Sequence, residues 1–409
     1  MTRVLVVAST FPASDTDAVP AFVKDQIKAM KQADESLEFT VLAPHDIRSR
    51  TKSITKHAAY NEHRFHYAWP RNIEKLAGQG GIMPNLQANP LNYLLIPALF
   101  VFEGISMYRL TRKLKPDLLY AHWFTPQAVV ARIVSAVTST PFVFTTHASD
   151  VAVWHKIPLI GKLIVRWTTR GTKAFTAVSE RSMDKLAAFF SQEEWTHLKK
   201  RSKIIPMGVD LVTQTSSSKA MQNSILFVGR VAEKKGLHYL LPAFKELLND
   251  ISDATLTIAG DGPWLARIKN QANELGLTKQ QVNFPGYTTG TPKQALLNSH
   301  SVFVIPSIIA GNGDAEGLPV TLMEGLAAGK LCVATNESGA DNVLTDGTDG
   351  FLLPQKSQHA LAAALKKALL LDDSKKQQMC NNARQTAEQF SWPVIAKKHI
   401  DFLIRGKAA

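Results

Sequence analysis

Short apolar, β-branched runs alternate with helix-length segments along most of this 409-residue chain. In the first half the runs are residues 4–8, 39–42, 118–121, 142–145 and 174–178. Parallel strands need crossover connections long enough for a helix, so this alternation predicts a doubly wound parallel sheet. In such sheets ligands bind beyond the carboxyl ends of the strands, and the residues after each run are therefore the candidate site residues.

The same alternation starts again after a polar stretch. Residues 212–223 are rich in Ser, Thr and Gln and show no apolar periodicity, which is typical of a linker. New apolar runs follow at residues 224–228, 255–259, 302–306, 333–335 and 350–354. A chain of this length exceeds what a single core usually covers. We therefore predict two domains, residues 1–212 and 213–391.

Residues 313–329 join the run 302–306 to a predicted helix that begins near Leu318. Pro319 suits the first helical turn, where its missing N–H costs nothing. The N–H groups expected to point out of this helix end belong to Gly317, Leu318, Val320 and Thr321. Such an end favours an anion. Glu316 and Glu324 flank it at a predicted separation of roughly 12 Å, about the length of a sugar joined through a diphosphate to a ribose.

The segment Glu316-Gly-Leu-Pro-Val with a second glutamate at position 324 resembles the signature of glycosyltransferase family 4, a family of retaining GT-B glycosyltransferases. The resemblance implies a GT-B fold, with two doubly wound Rossmann-like domains facing each other across a cleft. It also implies that a C-terminal helix, about residues 392–409, packs back on the first domain. Trp392 is then expected to be a packing anchor of that helix.

The family resemblance extends along the second half and assigns roles to particular residues. Gly229-Arg230 and Lys235 match a Gly-Arg…Lys-Gly motif whose cations neutralise the donor diphosphate. Glu316 would orient the sugar and Glu324 would bind the ribose. Donor contacts are further expected from Gly286, Tyr287, Gly317, Leu318, Val320 and Thr321. GT-B enzymes usually act without a metal, so neither a metal nor another cofactor is expected.

The first half supplies candidates for the acceptor or sugar pocket. Thr146-His147-Ala148-Ser149-Asp150 resembles the family's His-Gly-x-x-Asp motif, in which the histidine faces the transferred sugar. His147 is therefore a candidate catalytic residue, together with Glu316, Arg230 and Lys235. His122 and Asp150 are candidate pocket residues, and the alternative is a capping aspartate beside a core histidine. The loop around Phe11 lacks the glycine pair of many family members and is expected to shape the acceptor site.

Three features favour a cytoplasmic protein with peripheral contact to the inner face of the membrane. Cys332 and Cys380 form neither a disulfide framework nor a zinc cluster, as expected in a reducing compartment. Residues 91–110 are apolar but interrupted by charge, which favours a buried or membrane-skimming helix over a span. Residues 156–173 form a basic amphipathic segment, either a solvated helix face or a membrane-surface helix.

The net charge of +13 is concentrated in the first half. Residues 1–217 carry 27 Lys and Arg against 17 Asp and Glu, whereas the remainder carries 20 against 17. A basic surface suits anionic lipid or a lipid-diphosphate acceptor. No nucleic-acid-binding motif accompanies it, so no nucleic-acid partner is expected.

The predicted function is transfer of a sugar from a nucleoside-diphosphate sugar to a glycan or lipid-linked acceptor. A UDP-sugar is favoured and GDP-mannose comes second, in the biosynthesis of a surface polysaccharide such as lipopolysaccharide or exopolysaccharide. One alternative is a catalytically inactive GT-B scaffold of an envelope assembly complex. Another is a phosphorylase or a sugar-nucleotide epimerase of related fold.

Overall fold

The computed structural model describes residues 1–13, 19–49, 52–78, 81–147, 150–211, 221–336 and 339–406. The chain divides into two compact units, Met1–Gly208 with Trp392–Ala409, and Val209–Ser391. The predicted domain boundary between residues 212 and 213, and most of the predicted linker, lie in the 212–220 segment outside the described residues.

The first unit is built on an eight-stranded sheet of order β3-β4-β2-β1-β5-β6-β7-β8. Its strands are β1 Thr2–Ala8, β2 Leu37–Pro44, β3 Ile54–Lys56, β4 Tyr60–Phe65, β5 Leu118–His122, β6 Phe142–Thr146, β7 Ala174–Ala177 and β8 Ser202–Ile204. The pairs are parallel except for β3 with β4, which is antiparallel. Its helices are α1 Phe22–Ala33, α2 Ile82–Ala88, α3 Ile96–Leu114, α4 Val129–Thr138, α5 Pro158–Gly171, α6 Glu180–Ala187 and α7 Gln192–Lys199.

The second unit is built on a six-stranded, fully parallel sheet of order β11-β10-β9-β12-β13-β14. Its strands are β9 Ser224–Val228, β10 Thr255–Ala259, β11 Val282–Gly286, β12 Val302–Ile305, β13 Leu331–Thr335 and β14 Gly350–Leu353. Its helices are α8 Leu237–Leu247, α9 Leu265–Glu274, α10 Gly290–Ser299, α11 Val320–Ala327, α12 Gln358–Leu369 and α13 Asp373–Glu388. The last helix of the chain, α14 Trp392–His399, belongs to the first unit.

Each sheet has a hydrophobic core on both faces. Along β1, Leu5 and Val7 belong to one core, and the alternate residues Val4 and Val6 belong to the other. The first core takes side chains from α3, α4 and α5, and the second from α1 and α14. Because successive strand residues point to opposite faces, this division places helices on both sides of the sheet. The predicted doubly wound architecture is confirmed.

The C-terminal helix packs on α1 through Trp392, whose side chain is 7% exposed. Gly208 makes room for the indole, since a Cβ atom at that position would lie 2.3 Å from the ring. This close approach confirms the packing role predicted for Trp392.

The apolar segment predicted at residues 91–110 forms a 3₁₀ helix, Pro90–Leu95, followed by α3. Among the described residues, the stretch Pro90–Leu114 is the one helix with the length and composition needed to cross a membrane, and 17% of its apolar window is buried. The helix is therefore only partly buried. One face packs into the unit and the other is exposed.

Glu103 of α3 is fully buried, and the amide of Gln127 donates a 3.1 Å hydrogen bond to it. Burial raises the pKa of its carboxyl from 4.5 to about 8. The unfolded chain therefore loses this proton at lower pH than the folded chain, so the free energy of unfolding falls as pH rises between these two values.

We expect Glu103→Gln to remove this penalty, because a neutral amide keeps the bond to Gln127. The variant should match the wild type near pH 4.5 and exceed it by roughly 2–3 kcal/mol near pH 7. Urea unfolding at several pH values measures this. Glu35→Gln, at an exposed site, is the control. A constant difference across the pH range would contradict the buried, protonated carboxyl.

Candidate functional site

The polar residues of the second unit converge where β9 and β12 end. Glu316 lies in the loop between β12 and α11, and its side chain is 14% exposed. Its carboxylate contacts two lysines, with Oε1 3.4 Å from Lys234 Nζ and Oε2 3.2 Å from Lys235 Nζ. Lys234 also lies 3.3 Å from an oxygen of Asp314. The loop thus places a nearly buried carboxylate between two ammonium groups.

A close backbone approach holds the lysines in place. They occupy the short 3₁₀ helix Glu233–Lys235, which ends at Gly236 with φ of 66°. A Cβ atom at Gly236 would lie 1.8 Å from the carbonyl oxygen of Pro306. Only glycine meets both the left-handed backbone and this contact. Gly236 therefore sets the position of the lysines against the end of β12.

Interactions between neighbouring charges shift the pKa values of the groups in this cluster. Burial raises the pKa of the Glu316 carboxyl, but Lys235 and Lys234 outweigh it, and the net pKa lies below the ordinary value. Burial lowers the pKa of Lys234, and Glu316 and Asp314 reverse the effect to a net increase. Glu316 and Lys234 are therefore both charged near neutral pH. Arg230 adds a further cation after β9, with Asp261 and Asp314 partly offsetting the effect of burial on its pKa.

The start of α11 differs slightly from the prediction. The helix begins at Val320, not near Leu318, and Pro319 is its N-cap residue with an extended ψ of 120°. Gly317 and Leu318 therefore belong to the preceding loop. Val320 and Thr321 are the first helical residues, and their N–H groups have no acceptor within the helix. The helix N-terminus is thus present two residues later than predicted, and its binding of an anion stays a prediction.

Glu324 lies inside α11 and is paired with a residue that sequence reasoning missed. Lys293 of α10 donates a 2.6 Å hydrogen bond to its Oε1, and both side chains are about one-fifth exposed. Gly286 ends β11 with φ of 82°, and Tyr287 follows with 55% of its side chain exposed. The predicted donor residues thus follow the carboxyl ends of β9, β11 and β12 or lie on α11.

The first unit brings His122 and His147 together at the ends of β5 and β6. His122 Nδ1 lies 3.4 Å from His147 Nε2. Burial lowers the pKa of both imidazoles, and that of His122 falls well below its ordinary value. His122 is fully buried, whereas His147 is partly buried and packs on Phe22 and Trp123. The imidazole of His122 is therefore covered by the protein and contacts His147, which corrects its assignment to the pocket lining.

Asp150 binds backbone groups. Its carboxylate accepts hydrogen bonds from the N–H of Phe124 at 2.5 Å, the N–H of His147 at 3.1 Å and the hydroxyl of Thr146 at 2.8 Å. Burial raises its pKa to about 6. Asp150 thus ties together the loops after β5 and β6 and positions His147. Ala148 and Ser149 of the predicted motif lie outside the described residues.

Phe11 is 2% exposed and packs edge-on against Tyr60, with their ring centroids 5.5 Å apart. Arg64 covers the same ring at 5.5 Å. The ring therefore belongs to the core, and the expectation that Phe11 shapes an acceptor site is corrected. Trp123, which sequence reasoning missed, has a φ of 74° and contacts His147. A non-glycine residue held in this conformation is typical of functional sites.

Among the described residues, His45, His66 and Glu74 form one group that could hold a metal ion, with ligand atoms within 4.8 Å of one another. The Glu74 oxygens already accept four hydrogen bonds. They come from Nδ1 of His45 at 2.6 Å, Nδ1 of His66 at 2.8 Å and the N–H groups of Tyr67 and Ala68 at 2.8 and 3.1 Å. These hydrogen bonds anchor the loop after β4.

Two family models match the chain in succession. "Glycosyltransferase Family 4" matches residues 47–212, and "Glycosyl transferases group 1" matches residues 212–386. Together they run continuously over most of the chain and over both structural units. The chain therefore belongs to the group 1 glycosyltransferases of family 4.

Curated relatives are named as glycosyltransferases. The putative colanic acid biosynthesis glycosyltransferase WcaL of Salmonella typhimurium is 33% identical over 196 residues, 47% of this chain and 48% of that protein. The chain thus aligns with about half the length of this relative. A GDP-mannose-dependent alpha-(1-6)-phosphatidylinositol monomannoside mannosyltransferase of Mycobacterium tuberculosis is 26% identical over 70% of this chain and 76% of its own.

Solved structures share the fold. Anabaena Alr3699/HepE in complex with UDP superposes with a TM-score of 0.72 at 19% identity, covering 98% of this chain and 99% of that one. Sucrose-phosphate synthase from Thermosynechococcus elongatus gives a TM-score of 0.74 at 16% identity, covering 97% of each chain. These likenesses confirm the GT-B class of fold.

Proposed function

We propose that this protein is a retaining glycosyltransferase. It moves a sugar from a nucleoside-diphosphate sugar to a glycan or lipid-linked acceptor in the biosynthesis of a cell-surface polysaccharide. The observation that carries the proposal is the Glu316 carboxylate, held between Lys234 and Lys235 beside the first turn of α11. A carboxylate, two ammonium groups and a helix N-terminus lie in one loop cluster, which supports roles in holding a sugar and a diphosphate.

Each group has a task in the transfer. As the bond between sugar and phosphate breaks, negative charge builds up on the leaving diphosphate, and fixed cations stabilise it. Lys235 and Arg230 supply these cations, and the free N–H groups at the start of α11 add to them. Glu316 accepts hydrogen bonds from sugar hydroxyls and fixes the orientation of the ring. We propose that the acceptor attacks from the face that the diphosphate leaves, so the anomeric configuration is retained.

The same cations support a metal-independent reaction. Lys234 and Lys235 contact Glu316, and Arg230 interacts electrostatically with Asp314 and Asp261. In the bound state these cations would offset the charge of the diphosphate, which is the role that Mg²⁺ plays in other phosphoryl and nucleotide sites. We therefore propose that neither a metal ion nor another cofactor is needed.

A UDP-sugar is the first donor to test and GDP-mannose the second. The HepE structures contain UDP, UDP with glucose, and UDP-glucose, which supports the first choice. The mycobacterial relative is named for its dependence on GDP-mannose, which supports the second. The loop of Gly286 and the exposed Tyr287 is where this chain would read the base.

The acceptor is proposed to be a glycan or a lipid-linked glycan. The WcaL relatives are named for colanic acid, and a further relative for amylovoran. The mycobacterial relative is named for a phosphatidylinositol monomannoside, which is a lipid-linked acceptor. We accordingly propose a cytoplasmic enzyme with peripheral contact to an anionic membrane, where a lipid-linked acceptor would be presented.

Incubation with a UDP-sugar, followed by separation of the nucleotides, tests the proposal. Release of UDP that increases when glycan or lipid-linked acceptors are added is the expected result. An epimerised nucleotide sugar without UDP release would favour an epimerase instead. No turnover of any donor would favour an inactive scaffold.

Glu324→Gln is expected to weaken nucleoside-diphosphate binding about tenfold, because a charged acceptor for the ribose hydroxyls is lost. The wild type should also prefer UDP to 2′-deoxy-UDP, and the variant should lose that preference. Titration calorimetry measures both. Lys293→Ala is the matched control, because it removes the partner of Glu324 and keeps the carboxylate. An unchanged preference in Glu324→Gln would contradict a ribose contact.

A further inference from the structure

Three neighbouring helices of the first unit, α3, α4 and α5, expose an unusual amount of apolar surface. α3 packs on α4, and α4 packs on α5, so the three form one continuous face. The exposed apolar side chains of this face are Val101, Phe102, Ile105, Tyr108, Ile133, Val137, Leu159, Ile160, Leu163 and Trp167, and the 3₁₀ helix that precedes α3 adds Leu91, Tyr93 and Leu94. A contiguous apolar patch of this kind marks an interaction surface.

The α3 helix is fixed to the unit along one side. Its buried residues Leu99, Glu103, Met107 and Thr111 recur every four positions, as expected for one helix face. The hydrogen bond from Gln127 to Glu103 fastens this face to the segment that precedes α4. If α3 spanned a membrane, these contacts would break and the polar groups of Glu103 and Gln127 would be exposed to lipid. The helix is therefore positioned to lie along a surface.

The α5 helix carries the most prominent side chains. Leu159 is 89% exposed and Leu163 is 70% exposed, one turn apart on the same helix. Leucines this exposed gain most from entering an apolar medium, about 1.5–3 kcal/mol each when fully buried. Trp167 continues the same side of the helix, and the guanidinium of Arg132 lies over its ring at 4.5 Å.

A groove of about 560 Å³ between α4 and α5 combines this apolar edge with positive charge. Its lining consists of Arg132, Leu159, Lys162, Leu163, Arg166, Trp167, Arg170 and Gly171. Glu194 of α7 pairs with both Arg166 and Arg170 and neutralises one of the four positive charges. Three net positive charges remain beside exposed leucines and a tryptophan, which matches the polarity of an anionic lipid.

The rest of the α3–α4–α5 face is also positively charged. Glu103 is the sole acidic residue of α3 and is buried, and α4 and α5 contain no acidic residue. Arg109, Arg112 and Lys113 are exposed on α3. A second protein chain with a mixed surface would not need such a uniform sign, whereas an anionic leaflet attracts it at about 1 kcal/mol for each basic residue near the surface.

We infer that the α3–α4–α5 face docks on an anionic lipid leaflet, with Leu159 and Leu163 among the acyl chains. The phosphate of one lipid headgroup occupies the groove between Arg132, Lys162, Arg166 and Arg170. This inference adds a membrane surface to the proposed function. The docking itself does not depend on that function, but its purpose, access to a lipid-linked acceptor, does. Docking would hold the enzyme where lipid-linked acceptors are presented.

Co-sedimentation with vesicles tests the inference. The wild type should bind vesicles of phosphatidylcholine mixed with phosphatidylglycerol and not vesicles of phosphatidylcholine alone, and salt should weaken the binding. Leu159→Glu combined with Leu163→Glu should lower the partition coefficient at least about a hundredfold. Lys162→Gln should lower it about fivefold. Leu370→Glu, at a residue that is 63% exposed in the second unit, is the matched control and should bind like the wild type.

Equal binding of the wild type and the leucine double variant, or no preference for anionic vesicles, would overturn the inference. So would a wild type that ignores vesicles but forms a dimer that the double variant loses, because the face would then join two copies. Nucleotide binding separates this inference from the proposed function. A leucine double variant that still binds UDP but not vesicles supports both the docking inference and the proposed function. A wild type that binds vesicles but no nucleotide supports the docking inference and contradicts the proposed function.

Discussion

Lys235→Ala is expected to lower sugar transfer by about two to three orders of magnitude, the usual effect of losing one preorganised group that stabilises a leaving anion. Lys235 Nζ lies 3.2 Å from Glu316 and is fixed by the turn at Gly236. The variant loses a cation that opposes the charge on the leaving diphosphate. The loss should therefore appear mainly in kcat.

Release of nucleoside diphosphate from the donor measures this effect, with acceptor or with water as the second substrate. Lys279→Ala, an exposed lysine in the same unit, is the matched control and should leave the rate unchanged. Lys235→Arg keeps the charge and should retain part of the activity. A rate within about threefold of the wild type for Lys235→Ala would remove this residue from the reaction.

Glu316→Gln is expected to lower transfer roughly a hundredfold while leaving nucleotide binding intact. The carboxylate is proposed to hold the sugar, and each lost hydrogen bond to a charged group costs about 1.5–3 kcal/mol. Lys235 loses this anionic partner in the variant and becomes freer to bind the diphosphate, whereas Lys234 keeps its contact with Asp314. UDP itself, which carries no sugar, should then bind as tightly as before or tighter.

Calorimetry with UDP and kinetics with the UDP-sugar separate these two effects. Glu274→Gln changes an exposed glutamate of the same unit and is the control. Weaker binding of UDP in Glu316→Gln would place the carboxylate on the nucleotide and not on the sugar. Unchanged transfer would remove Glu316 from the site.

The parallel strands were predictable because they are buried on both faces and appear as short apolar runs. β9 and β10 match the predicted bounds, and β1, β5 and β6 differ from them by one or two residues. β4 escaped prediction because its sequence is polar. Glu62 and Arg64 of this strand are buried as an ion pair 2.6 Å apart. Hydropathy does not reveal a buried pair, since its charges are satisfied only in the folded structure.

The part of the candidate site that could be predicted consists of residues that belong to a motif and follow the end of a strand. Arg230, Lys235 and Glu316 could be named in advance for that reason. Lys293 could not be named in advance, because its bond to Glu324 joins residues of two different helices that are 31 positions apart in sequence. His122 and Phe11 were assigned to a pocket because they follow strands, but both are buried. Position after a strand shows where a loop lies and not which of its side chains face the solvent.

The central claim is that the second unit binds a nucleoside diphosphate through cations of its own. The most direct measurement is calorimetric titration of UDP, GDP and ADP into the wild type and into Arg230→Ala combined with Lys235→Ala, with EDTA present throughout. Tight binding of one nucleotide family by the wild type, lost in the double variant and unchanged by adding Mg²⁺, is the predicted result. Failure of every nucleotide to bind, equal binding by the double variant, or an absolute need for Mg²⁺ would contradict the claim.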